Sequence, residues 1–356
     1  MYLEFFKLRE FPFRLTPDTE FLYMSDAHAR AKAYMDYTIW NRDGFVVITG
    51  EIGSGKTTLI QKLLSELDDN VLVAKIFQTQ LDEVEFLQAV LVEFGLNPFH
   101  AKKVELIDML NTFLIDQFHK DKQLVLIVDD AHNLSPKVLE EIRMLSGLET
   151  QKEKVLHVIL VGHPQLNELL ESAEMEQLLQ RVRLRYHIKA LSEEATRAYI
   201  THRLRVAGME ERHLFAAETF PLIYKYTGGL PRLINTLCDT ALVCAYADGQ
   251  TAITGHVLNS AIEELQWLPY AKRVNQRRLR PPPAANNEYQ EVLKDHARAL
   301  VNVGHQMTRL DALVPALNAL AGRMGNIESL LRNIASALDM EPKAGKSESK
   351  TLAKRD

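Results

Sequence analysis

Long apolar runs are missing from this chain: no stretch approaches the ~18 apolar residues that a membrane-spanning helix needs. The opening Met1-Tyr2-Leu3-Glu4-Phe5-Phe6-Lys7 does not set a basic region before an apolar core, so no secretory signal is read there and a cytoplasmic location is expected. Cysteine is scarce. Cys238 and Cys244 lie in an apolar, helix-like run whose spacing matches neither a zinc nor a disulfide pattern, so buried free thiols in a reducing compartment are expected. Nor is positive charge in excess: the formal net charge is -5, which removes any global pull toward nucleic acid or anionic lipid. What is present is ordinary for a globular protein, with 356 residues, 46% hydrophobic and 25% charged, enough for two domains and a tail.

One stretch carries chemistry on its face. Phe45-Val46-Val47-Ile48-Thr49 reads as a strand, and Leu59 to Leu64 shows helical spacing. Between them runs Gly50-Glu51-Ile52-Gly53-Ser54-Gly55-Lys56-Thr57-Thr58. Strand, glycine loop and helix are the context of a phosphate-binding loop. Glycines let successive N–H groups converge on one anion, and the helix N-terminus adds its dipole. Lys56 is placed for the β- and γ-phosphates of a nucleoside triphosphate such as ATP, and the Thr57 hydroxyl for Mg²⁺.

Two further strands end in polar residues. Gln123 to Val128 is an apolar run closed by Asp129-Asp130, the pattern of a buried parallel strand. Ligands of open α/β sheets sit at such carboxyl ends. Asp129 is therefore placed to position Mg²⁺, and Asp130 to polarise the water that attacks the γ-phosphate. Val155 to Val161 is a second buried strand, with His163 just beyond it. That histidine reads either as a loop residue or as a contact to the γ-phosphate or its water. From Arg181 to Ile188 the chain alternates, with Val182, Leu184, Tyr186 and Ile188 inward. Arg181 belongs to a solvated basic face or is an arginine finger for a neighbouring subunit.

Around this centre the organisation is coarse but legible. Residues 1–27 are aromatic and broken by Pro12 and Pro17. They read as a strap that packs on the core and also walls an adenine pocket. Helices are expected over 26–41, with Asp26 as cap, from the capping box Asp82-x-x-Glu85 to Gly95, over 102–119, and after Ser135-Pro136. From Leu191 the period becomes helical throughout. Four helices are expected, from Ser192 to Gly208, over about 213–226, from Leu233 to about 247, and from Thr254 to about 265. Arg232, in the first turn of the third, opposes the helix dipole and calls for an anion, either a phosphate or a nearby carboxylate. Residues 269–287 read as a basic, proline-containing linker. Residues 288–339 carry a heptad-like stripe, expected as a coiled coil, a partner helix or a helix folded back on the core. Residues 340–356 read as disordered.

These residues together resemble a known family. Phe5-Phe6-x-Leu8-x-Glu10-x-Pro12-Phe13-x-Leu15-Thr16-Pro17-Asp18 and Phe21-Leu22-Tyr23 are similar to the opening of the ExeA/GspA family of secretion-associated AAA+ ATPases. Thr227-Gly-Gly-Leu-Pro-Arg-Leu-Ile-Asn-Thr-Leu-Cys-Asp239 resembles its lid signature. The sequence resembles the related ATPases of MSHA-pilus and exosortase loci equally. The resemblance covers about residues 1–268 and implies an α/β fold. That fold is a P-loop AAA+ parallel sheet (1–190) with an α-helical lid (191–268), followed here by a coiled-coil-like tail. It implies that Lys56, Thr57 and Asp129 bind Mg-ATP, that His163 and Arg232 stand at the two sensor positions, and that Arg181 is the finger. It further implies ATP hydrolysis by a homo-oligomer with shared active sites. The role expected is a switch or motor for an envelope secretion, pilus or exopolysaccharide system, its C-terminal helix docking a membrane-embedded component. The family carries Asp-Glu where this chain has Asp129-Asp130, so turnover is expected to be slow. A DNA-associated regulator of the transposition target-selection type and a weakly hydrolysing nucleotide-gated scaffold are the alternatives, the former disfavoured by the net charge.

Overall fold

The computed structural model describes residues 2–41, 44–149, 153–209 and 213–279. The expected tail over 288–339 and the end segment 340–356 lie outside them. In chain order the elements begin with α1 (Tyr2–Phe6), α2 (Asp26–Trp40), β1 (Phe45–Gly50), α3 (Lys56–Leu64), β2 (Val71–Ile76), α4 (Glu83–Glu93) and α5 (Lys103–His119). Then come β3 (Gln123–Val128), α6 (Pro136–Leu145), β4 (Leu156–Gly162), the short α7 (Gln165–Leu170) and α8 (Glu176–Leu179), and β5 (Leu184–Ile188). The chain continues through α9 (Glu193–Val206), α10 (Thr219–Thr227), α11 (Pro231–Ala247), α12 (Gly255–Glu264) and α13 (Tyr270–Leu279).

The five strands form one parallel sheet in the order β2-β3-β4-β1-β5. Side chains alternate across a strand, and both faces here are covered, which is why the strands read as unbroken apolar runs. Phe45, Val47, Leu126, Val128 and Leu160 pack with Phe86, Leu110 and Leu139 of α4, α5 and α6. Their neighbours Val46, Ile48, Val125, Ile127 and Ile159 pack on the other face with Met35 of α2 and Ile60 of α3. Because all strands run one way, their carboxyl ends share one edge. The register pairs Val128 with Leu160 and Thr49 with Gly162, so Asp129-Asp130, His163 and the glycine loop emerge side by side.

Local signals set several helix starts. Asp82 and Glu85 form the expected capping box, and Ser135 and Ser192 accept from the backbone N–H groups of Val138 and Ala195. Other expectations are corrected. Ser25, not Asp26, caps α2, since its extended backbone lets its hydroxyl take the His28 N–H. The alternating run yields strand only from Leu184. The second lid helix begins at Thr219, because Phe215 is drawn into a parallel bridge with Ile253. Residues 270–279 of the expected linker are helical; their Lys, Arg and Gln are good helix formers, and Pro281 follows.

The aromatic strap is fastened to the lid helices. Tyr2, Phe6, Leu8, Phe13 and Phe21 share one core with Tyr199, Ile200, Ile234, Leu237 and Leu258. Arg203 ties the two together. Buried among them, it donates to the Pro12 carbonyl and to the Tyr199 hydroxyl (2.9 Å), with its guanidinium 4.9 Å over the Phe21 ring. Cys238 and Cys244 are buried free thiols, as expected.

Candidate active site

The chain leaves β1 at Gly50 and turns through Gly53 (φ +78°) and Gly55 (φ +95°) into α3. Both are left-handed positions that favour glycine. Space forbids a side chain as well: a Cβ on Gly53 would stand 2.3 Å from the Cβ of Arg232. Lys56 is buried beneath the loop, where its Nζ donates to the carbonyls of Gly50 (2.8 Å) and Glu51 (3.0 Å). Burial pushes its pKa down, against the opposing pull of Asp129, Asp130 and Glu51. The Ser54 hydroxyl is buried in the same loop and has no hydrogen-bond partner among the described residues. At the start of α3 the Thr57 hydroxyl donates to Asp129 Oδ2 at 2.8 Å. Burial raises the pKa of Asp129, and the Thr57 hydrogen bond opposes the shift.

Asp130 turns away from the sheet with φ +51°, a left-handed conformation that Asp tolerates better than most residues. Its side chain is exposed, and Nε2 of His163 lies 4.0 Å from its Oδ1. The His163 pKa is lowered to about 4, chiefly by burial and then by the charge of Lys56, so its imidazole is neutral at pH 7. Arg232 opens α11, and its backbone N–H donates to the Gly53 carbonyl (3.1 Å), seating the lid on the glycine loop. Its side chain makes no carboxylate ion pair among the described residues. Glycine loop, Asp130, His163, Arg232 and the strap residues from Arg14 to Asp18 all line one cavity of about 460 Å³.

Residues 40–170 match the AAA domain family. Over 270 residues the sequence is 38% identical to General secretion pathway protein A of Aeromonas hydrophila, covering 75% of this chain and 49% of that protein. Three quarters of the chain is thus similar to that protein, and the chain carries an AAA domain. It spans about half the length of that curated relative. Solved structures share the fold. Drosophila ORC bound to DNA superposes with a TM-score of 0.57 at 16% identity, covering 74% of this chain and 66% of that one. The ORC2 protein of Aeropyrum pernix, in ADPNP-ADP complexes, gives 0.53 at 16% identity and 71% of each chain.

Within this AAA+ framework the expected residues gather at one end of the sheet, with one exception. Arg181 is half-buried, with Nη1 donating to the Arg143 carbonyl (2.6 Å) and the Ser146 hydroxyl (2.9 Å), and it does not line the cavity. Its expected role toward a neighbouring subunit requires leaving those partners. Among the residues that line the cavity, Arg203 and His28 escaped the sequence. Arg203 had a signal: an arginine on the buried stripe Tyr199, Ile200, Arg203, Leu204 is an anomaly. His28 had none.

His28 locks the GspA-like glycine loop from behind. Its Nε2 lies 2.8 Å from the Ser54 carbonyl, which can only accept, so Nε2 carries the proton. Burial lowers the ring's pKa, so Nδ1 is the free acceptor and the Ser25 hydroxyl donates to it at 2.7 Å. Holding the Ser54 carbonyl outward orients the next N–H, that of Gly55, toward the anion side. His28→Ala leaves that carbonyl unpaired, at a cost of about 1–2 kcal/mol. We expect nucleotide affinity, read by titration of a fluorescent ADP analogue, to fall by roughly tenfold. The sign with pH also follows. His28 resists protonation when folded, so the unfolded chain binds more protons below about pH 6.5, and its contribution to stability falls as pH drops through that range. Melting curves between pH 7.5 and 5.5 should show a shallower decline in His28→Ala.

Proposed function

We propose that this cavity binds Mg-ATP and that the protein hydrolyses it, working as a cytoplasmic switch or motor for a bacterial envelope secretion, pilus or exopolysaccharide system. The observation that carries the chemistry is the Thr57–Asp129 pair, two oxygen donors 2.8 Å apart beside the buried ammonium of Lys56. Oxygen donors suit Mg²⁺, whose chemistry when bound is to neutralise phosphate charge. Lys56 holds the phosphates, Asp130 orients the attacking water, and His163 and Arg232 read the γ-phosphate from the sheet and from the lid. Arg181 serves the active site of an adjacent subunit, and peripheral docking at the inner membrane runs through the segment 288–339, outside the described residues. The system is suggested by the 38% identity to a protein named for the general secretion pathway.

Hydrolysis per subunit measured over a range of protein concentrations tests the shared site. We expect the specific rate to rise with concentration and ATP to increase the mass seen by light scattering. A monomer with and without ATP would remove both the oligomer and the role of Arg181. A pull-down with the full chain, against one ending at residue 279, tests whether the tail recruits an envelope component. The DNA-associated reading rests on the basic cluster from Lys272 to Arg280. It loses one member, since Arg273 stacks 4.3 Å over Trp267 and donates to the Tyr226 carbonyl.

A further inference from the structure

Beyond the Thr57–Asp129 pair, three side chains at the ends of β3 and β4 face one another. Asp130 Oδ1 lies 3.9 Å from Nδ1 of His132 and 4.0 Å from Nε2 of His163. The two imidazoles meet edge to face with centroids 4.3 Å apart. One ligand atom from each of the three residues lies within 4.8 Å of the others. Backbone builds the arrangement. The left-handed turn at Asp130 opens the single 3-10 turn Ala131–Asn133 that carries His132, and His163 follows β4 directly. The His163 N–H reaches His132 Nδ1 only at 3.5 Å, a long contact that is given up at little cost.

We propose that Asp130, His132 and His163 bind a borderline divalent transition cation, with Zn²⁺ as the type, at a site distinct from that of Mg²⁺. Two imidazoles and one carboxylate are the donors such cations take, whereas Mg²⁺ selects oxygen. Metal–ligand bonds of about 2.0–2.2 Å put tetrahedral neighbours roughly 3.3–3.5 Å apart. The two contacts of Asp130 must therefore close by roughly half an ångström and the two imidazole nitrogens by at most roughly 1.5 Å, movements within reach of side-chain rotation. Asp130 and His163 line the cavity, so the remaining coordination position opens on water. Lys56 opposes a cation here; Asp129 and Asp130 place two carboxylates against it. A cation held by Asp130 occupies the carboxylate that would orient the attacking water, so the metal switches hydrolysis off. That consequence rests on the hydrolysis reading, but the binding does not.

The test uses the tag-free full chain without nucleotide, titrated with Zn²⁺ against a chromophoric chelator and, separately, with Co²⁺ followed by its visible absorption. We expect one equivalent bound, with affinity reduced at least roughly tenfold in His132→Ala and in His163→Gln, and lost in the double variant. His132→Gln keeps the side chain's size and serves if the alanine variant does not fold by circular dichroism. Unchanged stoichiometry and affinity in the double variant would overturn the site, as would wild-type binding too weak to compete with the chelator. In the second arm Zn²⁺ is added at fixed Mg-ATP. A rate that falls in wild type but resists Zn²⁺ in His132→Gln supports the switch. Zinc bound with the rate unchanged keeps the site and removes Asp130 from hydrolysis.

Discussion

Lys56→Ala should lower nucleotide affinity on the order of 100-fold, about 3 kcal/mol, and abolish ATP hydrolysis, while leaving the nucleotide-free protein at least as stable as wild type. The first half follows from charge. Hydrogen bonds to an ionised group are worth about 1.5–3 kcal/mol each, and without the ammonium the phosphates would meet Asp129 and Asp130 with one fewer positive charge to offset them. The second half follows from burial. Lys56 is 7% exposed, bonded among the described residues only to the neutral carbonyls of Gly50 and Glu51, and its pKa is pushed down by desolvation. Removing a desolvated cation relieves a penalty that the nucleotide otherwise offsets. Ligand stabilisation of about 2.7 kcal/mol at a hundred times the dissociation constant should therefore vanish from melting curves, with the baseline melting temperature held or raised. A variant that melts lower without nucleotide would show that Lys56 supports the fold rather than the ligand.

What the sequence disclosed about this site was what is local. The glycine loop is contiguous, and its φ requirements are written in Gly53 and Gly55. The acids after β3 and the histidine after β4 each stand at the end of an apolar run, so a parallel sheet places them without further information. The capping box at Asp82 and Glu85 and the cap at Ser135 are signals within four residues and formed as read. What failed depends on partners far along the chain. The strap's aromatics announce burial but not against what, and they chose the lid helices. His28 meets Ser54 across the site, a pairing that no periodicity records. Phe215 left its expected helix for Ile253, a tertiary bridge outweighing a weak propensity. Arg181 stands in a turn before β5 and spends its guanidinium on Arg143 and Ser146, because a side chain that long finds carbonyls a sequence pattern does not show. His132 was passed over, though it stands two residues beyond Asp130; only the turn at Asp130 swings its ring toward His163.

Asp130→Asn should cut hydrolysis by about 10²–10⁴-fold, the range of a positioned general base, while nucleotide affinity stays within a few-fold of wild type. The substitution is clean because Asn also tolerates the left-handed conformation at φ +51°. The backbone turn, and with it the placement of His132, is retained. Affinity is preserved because Asp130 sits at the exposed end of the site, and losing its charge removes one of the influences that raise the pKa of the buried Asp129. Asp130→Glu separates reach from charge. It keeps the carboxylate and adds the methylene that the related Asp-Glu pattern carries, so turnover should rise above wild type. It also sets a residue less suited to left-handed backbone at that turn, at about 1–2 kcal/mol of stability, read as a lower melting temperature. A faster and less stable variant would mean that the short acid limits the water's position, and that this chain trades turnover for the turn that brings Asp130, His132 and His163 together. A variant slower than wild type, with nucleotide still bound, would mean that the left-handed turn, rather than the length of the acid, sets the geometry of attack.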